Sequence, residues 1–187
     1  MFGKNREGNF DTLEKLSVKY GFCIDKIDEY KHGGEHISST VIRRLLEESG
    51  DIKKAGQMLG GNYGFEGTVV EGRKLGREIG YPTANIRVSS EYKLIPKIGV
   101  YTVKAEVEGK SYHGMMSIGK NPTVTDDDSI KIEVNIFDFK DELYGKKIRI
   151  SLVEYLRDEV KFNSLEELKN MLKKDKEESL KIVFNKK

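Results

Sequence analysis

The spacing of apolar positions changes near Gly60-Gly61, and the change divides the chain. Before that point the period is helical. Phe10, Leu13, Leu16 and Tyr20 recur three and four residues apart, which predicts a helix over 9–20 that Gly21 ends. Phe22 to Ile27 suits a short strand. Ser38 or Ser39 can cap a helix that carries Ile42, Leu45 and Leu46 and closes at Gly50, and a further short helix is predicted over 51–59.

Beyond Gly61 the period is two. Six strands are predicted, over 65–71, 84–88, 100–107, 111–118, 130–138 and 148–156. Glu108-Gly109-Lys110 reads as the hairpin joining the third to the fourth. So many short antiparallel strands suggest a closed barrel, because closure removes the edges that an open sheet presents. Ser164-Leu165-Glu166-Glu167 has the capping-box pattern and is followed by Leu168 and Leu172 on one face, so a last helix should cover a flank or end of the barrel.

Composition narrows the classes. A chain of 187 residues can build one good core with a small unit attached. No apolar run approaches the roughly 20 residues that cross a bilayer, and no signal or transit peptide is visible, so no membrane association is expected. A single cysteine, Cys23, excludes an intrachain disulfide and fits a reducing compartment, and the cytoplasm is expected. The 33 basic and 31 acidic side chains are too evenly balanced to indicate a nucleic-acid partner, so any anion site must be local. His32, His36 and His113 have no cysteines at zinc-ligand spacing, and Asp126-Asp127-Asp128 reads as a solvated turn.

The local candidate is GRKLGREIGYPTAN, residues 72–85. It admits two readings, a solvated surface turn or a phosphate-binding loop. In the second, Gly72, Gly76 and Gly80 let backbone amides approach phosphate, Arg73, Lys74 and Arg77 offset its charge, and Pro82 makes the following turn rigid. Thr83 and Asn85 share a face if the chain there is extended, and their oxygens suit Mg²⁺. No G-x-x-x-x-G-K-[ST] pattern is present. On the fifth strand, Ile130, Ile132, Val134 and Ile136 alternate with Lys131, Glu133, Asn135 and Phe137, so Glu133 points away from the aliphatic side. There it is either a solvent-facing carboxylate or a general base. The residues alone carry the reading as far as a candidate nucleotide and Mg²⁺ site on a β-barrel.

A resemblance carries it further. V-V-E-G-R-K-L-G-R-E-I-G-Y-P-T-A-N resembles the signature of riboflavin kinases. Four more matches follow in that family's order: S-I-G-K-N-P-T at 117–123, I-E-V-N-I-F-D-F at 132–139, L-Y-G at 143–145 and L-R-D-E-V-K-F-N-S-L-E-E-L at 156–168. The likeness covers about residues 58–185. It implies a mainly β fold, a six-stranded antiparallel, Greek-key-like barrel with a C-terminal helix, and transfer of the γ-phosphate of ATP to riboflavin to give FMN and ADP. It also implies Glu133 as catalytic base, Thr83 and Asn85 as Mg²⁺ ligands, and Gly72, Gly76, Arg77, Pro82, Thr83, Asn85 and Tyr144 at ATP. Arg157 and Phe162 would line the flavin end, Gly72 to Gly80 would form a flap, and Asn121 and Pro122 would shape the site. One departure stands out: Asn135 occupies a position where the family commonly has His.

Residues 1–57 resemble the end of the FMN adenylyltransferase domain of the bifunctional bacterial enzyme, through Phe2-Gly3-Lys4 with Gly8 and Ile37-Ser38-Ser39-Thr40 with Arg43. The expectation is therefore a small α/β remnant of a nucleotidyltransferase domain over 1–57, followed by a kinase domain over 58–187. FAD formation is not expected, Ser38, Ser39 and Thr40 are expected to cap a helix, and the protein is expected to be a monomer. The rivals are a non-catalytic flavin- or nucleotide-binding barrel and an oligonucleotide-binding barrel. An aromatic-rich basic face, which the latter would need, is missing.

Overall fold

The N-terminal helices begin at polar caps and stop at glycines. The computed structural model describes residues 8–25, 31–72, 75–120 and 130–184, in two compact units, one up to His36 and one from Ile37 onward. In the first unit, helix α1 (Phe10–Tyr20) starts where the Asn9 side chain accepts the Thr12 amide at 2.8 Å and ends at Gly21. None of its residues is buried. Residues 22–25 of the strand expected over 22–27 form none, and Lys26 and Ile27 lie outside the described residues; a run this short needs a neighbouring strand for its backbone groups. The unit instead has two-residue arms, β1 (Lys31–His32) and β2 (Glu35–His36), paired antiparallel around Gly33-Gly34.

The second unit opens with α2 (Ser39–Arg44), where the Ser38 hydroxyl accepts the Val41 amide at 3.3 Å, so Ser38 is the expected cap. The helix widens into a π turn over Leu45–Ser49 and stops at Gly50. Asp51 then caps α3 (Ile52–Leu59) by accepting the Lys54 amide at 3.0 Å. Leu46, Ile52 and Ala55 are buried and join one core with the barrel residues Phe65, Tyr101 and Leu152. Gly50 is pressed so closely on Tyr155 that an added Cβ would lie 3.1 Å from its ring. These helices therefore share the barrel's core.

The period-two segments form β3 (Gly64–Val70), β4 (Ala84–Val88), β5 (Gly99–Val107), β6 (Lys110–Lys120), β7 (Ile130–Ile136) and β8 (Lys147–Arg157), each boundary within two residues of expectation. A single helical turn, α4 (Leu75–Glu78), lies between β3 and β4. All neighbours pair antiparallel, and the barrel closes in the order β3-β4-β7-β6-β5-β8. The run β8-β5-β6-β7 is a Greek key, because three successive strands are joined by a fourth that returns beside the first. Alternate side chains, among them Tyr101, Val103, Ile118, Val134, Ile150 and Leu152, fill the interior.

Part of the outer surface is covered as well. Helix α5 (Leu165–Phe184) lies over β5, β6 and β8. The fully buried Thr102 of β5 donates its hydroxyl to Ser179 at 3.0 Å. At the start of α5, Ser164 accepts the Glu167 amide at 3.1 Å, while the Glu167 carboxylate reaches the Asn163 amide at 2.9 Å. The capping box is thus shifted by one residue on its return arm.

The β5–β8 pairing contains two irregularities that matter for the site. Val103 lies opposite Leu152 but Thr102 opposite Glu154, and Tyr101 lies opposite Tyr155 but Val100 opposite Arg157. Val153 and Leu156 are therefore extra residues, the first turning Tyr155 inward and the second turning Arg157 out again. In a strand, one added residue moves all that follows to the other face. Tyr155 packs edge-to-face on the interior Tyr101 at 5.2 Å, and Arg157 comes out on the α5 side with Val100.

A candidate active site where two cavities meet

Strand β7 carries two chemistries. Ile132, Val134 and Ile136 turn into the core, whereas Lys131, Glu133 and Asn135 stand on the opposite face. That face is not open to solvent throughout. Asn135 and Phe137 are buried, because the segment after β8 and helix α5 close over it.

On the neighbouring strand, Ala84 lies opposite Val134 and Asn85 opposite Glu133. Ala84 and Ile86 face inward and are buried, so Thr83 and Asn85 share the outer face, as the extended chain predicts. Thr83 donates its hydroxyl to Glu133 Oε1 at 3.3 Å, and Lys131 Nζ lies 2.9 Å from Glu133 Oε2. Asn135 donates from Nδ2 to the Pro82 carbonyl at 2.6 Å. The outer row of β7 therefore holds the Pro82-Thr83 turn as well as its own carboxylate. A hydroxyl has one hydrogen and two lone pairs, so the bond from Thr83 to Glu133 leaves its lone pairs available to a cation.

Two cavities flank this point. The first, of about 380 Å³, lies between the outer face of the barrel and α5. Its walls are largely apolar, from Ile79, Val100, Met115, Phe162, Leu168 and Leu172, and Glu133, Lys131, Asn135 and Arg157 supply its polar edge. The second, of about 520 Å³, opens on the interior side, where Val69, Ala84, Val134 and Ile136 meet Arg77, Pro82, Leu143 and Tyr144. Both volumes fall within the roughly 300–1,000 Å³ of small-molecule sites. Among the described residues Thr83 is the one that both linings share.

Arg157 is held before any ligand arrives. Its Nε and Nη2 donate to the two oxygens of Asp175 at 2.9 and 2.7 Å, and Nη1 donates to the Asp158 carbonyl at 3.0 Å. Asp175 is 3% exposed, so this bidentate pair fixes the guanidinium plane in the cavity wall, 6.0 Å from the Phe162 ring centre. Removing either partner would leave a charge without its counterpart in a buried place.

The three loop glycines answer to separate demands. A Cβ at Gly72 would lie 1.8 Å from the Asn85 amide nitrogen, and one at Gly76 would lie 2.2 Å from the Tyr81 carbonyl oxygen. Gly80 has open space around it but a φ of +83°, which side chains rarely adopt. Close packing of the loop on Asn85 and Tyr81 therefore explains two of the three.

Of the expected ATP residues, Arg77, Pro82, Thr83 and Tyr144 line the second cavity, Gly76 lines the first, and Gly72 and Asn85 line neither. Glu133, Arg157 and Phe162 all line the first. Arg73, Lys74, Asn121, Pro122 and the Asp126-Asp127-Asp128 run lie outside the described residues. Sequence reasoning missed Lys131 and Asp175. The first was visible as the residue two before Glu133 on the same face; the second sits in a run of charges that reads as a solvated helix surface. Among the described residues no cluster of three His, Cys, Asp or Glu is placed to hold a metal ion. Thr83 and Asn85 are the neutral oxygen donors that could assist a hard cation arriving with its own anionic ligand.

The Flavokinase family model, described as riboflavin kinase, matches residues 59–183. Over 178 residues the chain is 44% identical to a protein of Listeria monocytogenes, and over 187 residues 38% identical to one of Bacillus subtilis. Both are named bifunctional riboflavin kinase/FMN adenylyltransferase. The matches cover 95% and 98% of this chain but 56% and 58% of those proteins, so the chain spans little more than half their length. A crystal structure from Streptococcus pneumoniae, titled as a macrolide-efflux protein, has a TM-score of 0.80 at 36% identity, covering 94% of this chain and 56% of that one. Among the described residues no helix is long and apolar enough to cross a membrane. The matched residues include the whole barrel and every wall of both cavities, and the chain belongs to the riboflavin kinase family.

Proposed function

We propose that this chain transfers the γ-phosphoryl group of ATP to the ribityl 5′-hydroxyl of riboflavin, giving FMN and ADP. The observation that carries this reading is the meeting of two unlike cavities at Thr83, with the Glu133 carboxylate hydrogen-bonded at the crossing. The apolar first cavity suits the flavin ring, and the second, with Arg77 and Tyr144 in its wall, suits the nucleotide. The ribityl chain then reaches the crossing from one side and the phosphates from the other.

In this arrangement Glu133 accepts the hydroxyl proton as the oxygen bonds to the γ-phosphorus, and the bond to the β-phosphate oxygen breaks to release ADP. Thr83 and Asn85 would hold Mg²⁺, which when bound offsets charge on the phosphates. Asn135 keeps the Pro82-Thr83 turn in place, and Arg157 and Phe162 bound the flavin end. Alignment of donor, acceptor and base supplies most of the catalysis, because phosphoryl transfer asks little covalent chemistry of a protein.

The test is incubation with riboflavin and Mg-ATP, followed by chromatography for FMN. FMN and ADP in equal amounts are expected. Flavin or nucleotide binding without FMN would replace this reading with that of a non-catalytic barrel.

A further inference from the structure

Lys131 stands two residues before Glu133 on the same face of β7, and no role has been assigned to it so far. Its Nζ is 2.9 Å from Glu133 Oε2, whereas Thr83 reaches the other oxygen, Oε1, at 3.3 Å. One carboxylate is thus held by two donors, one on each oxygen. Because Thr83 marks the crossing of the cavities, Oε1 is the oxygen on the crossing side and Oε2 the one turned back along β7.

We propose that Lys131 is a positioning residue for phosphoryl transfer: by holding Oε2 it reserves Oε1 of Glu133 for the proton of the acceptor hydroxyl. The inference rests on the kinase reading above. Three features support it. The last torsion of a glutamate is broad and roughly twofold, so a single neutral hydroxyl leaves the carboxylate free to turn. An ammonium makes the stronger, charge-assisted bond. The side chains of Lys131 and Glu133 are 35% and 27% exposed, so the pair is not freely solvated like the surface ion pairs that contribute almost nothing. The other cation in that wall, Arg157, is already committed to Asp175 and the Asp158 carbonyl.

The experiment compares Lys131→Met, which keeps the aliphatic stem, with Lys131→Arg, which restores the charge, alone and in a Glu133→Gln background. Lys131→Met should lower kcat about tenfold, a part of what proton transfer contributes, with KM for ATP and riboflavin within about twofold and an unchanged melting temperature. Lys131→Arg should recover most of the loss. In the Glu133→Gln background Lys131→Met should have no further effect, since the residue acts through that carboxylate. A kcat within about twofold of the parent, an equal further drop in the Glu133→Gln background, or a rise confined to KM for riboflavin would each overturn the proposal. Should the unaltered protein form no FMN, the kinase reading falls and this role with it; FMN formation with Lys131→Met unimpaired removes only the role of Lys131.

Discussion

The two faces of β7 are one residue apart along the chain and differ in almost everything else. On the inner face Ile132, Val134 and Ile136 are buried and make the barrel. On the outer face Lys131 pairs with Glu133, Glu133 and Asn135 bond to the Pro82-Thr83 turn, and all three line the first cavity. The inner row depends on volume, since interiors are close-packed and lose stability whenever a side chain shrinks. The outer row depends on the direction of a few hydrogen bonds. A strand serves both ends because its side chains alternate, so chemistry can be placed on a rigid wall without opening the core.

This contrast predicts that mutations on the two faces fail in different ways. The largest effect should come from Glu133→Gln, which keeps shape and removes the proton acceptor. FMN formation should slow by about 10²- to 10⁴-fold while ATP affinity and melting temperature stay near those of the parent. Unchanged turnover would remove Glu133 from the mechanism.

Its counterpart one residue earlier is Ile132→Ala. Ile132 is 4% exposed and belongs to the core, so about 2–5 kcal/mol of stability should be lost. The melting temperature should fall by about 5–15 °C, while kcat per folded molecule is retained. If instead kcat collapsed with the melting temperature unmoved, the division of labour across β7 would be wrong.

Asn135→Ala should fall between the two. The loss of Nδ2 leaves the Pro82 carbonyl without that partner in a part-buried place, a cost of about 1–3 kcal/mol. Because the turn it holds carries Thr83, kcat should drop together with stability, and thermal melting alongside steady-state kinetics would show both. A pure stability loss would make Asn135 part of the scaffold only.

How much of this could be read beforehand follows the same division. Period-two alternation is enough to find the six strands and to place Glu133 opposite the aliphatic row, because both are local properties of the chain. Burial of the outer row was not readable. Asn135 and Asp175 are polar, and only contacts distant in the chain take them out of water: Asn135 bonds to the Pro82 carbonyl, and the return of α5 across the barrel sets Asp175 against Arg157. The inward turn of Tyr155 was hidden for another reason: it depends on Val153 being an extra residue against β5, and a register shift leaves no mark in one strand's own sequence. The second extra residue, Leu156, only returns Arg157 to the outer face that alternation from Ile150 and Leu152 gives it. The motif resemblance found Arg157 without that geometry. It also drew a boundary after residue 57, whereas the core that Leu46, Ile52 and Ala55 share with the barrel extends the compact unit back to Ile37. Motifs follow the chemistry of a site, and compact units follow buried contact.

The smallest predicted effect concerns the end of β8, where scaffold and site come closest. Tyr155 donates its hydroxyl to Asp158 Oδ1 at 2.6 Å, and Lys97 pairs with the same oxygen at 2.9 Å. The Tyr155 bond first, and Lys97 after it, hold the Asp158 carboxyl below the ordinary aspartate value near 3.8. A depressed carboxyl contributes stability above its unfolded pKa, and that contribution is lost as pH falls through the folded value. The hydrogen bond that Lys97 donates to Asp158 likewise raises Lys97, whose contribution is complete below 10.5 and is lost as pH rises through its folded value. Both contributions are therefore intact from about pH 4 to 10, and only acid reaches the first of them under mild conditions. Asp158→Asn should make the decline in melting temperature below about pH 4 shallower and lower the melting temperature slightly at neutrality, since the Asp158 carboxylate is exposed and screened. Turnover should hardly change, because Arg157 is held through the Asp158 backbone carbonyl and the Asp175 carboxylate, and neither is altered. A matching fall in turnover would mean that this corner of the scaffold reaches into the first cavity, and that the insulation seen across β7 does not extend to β8.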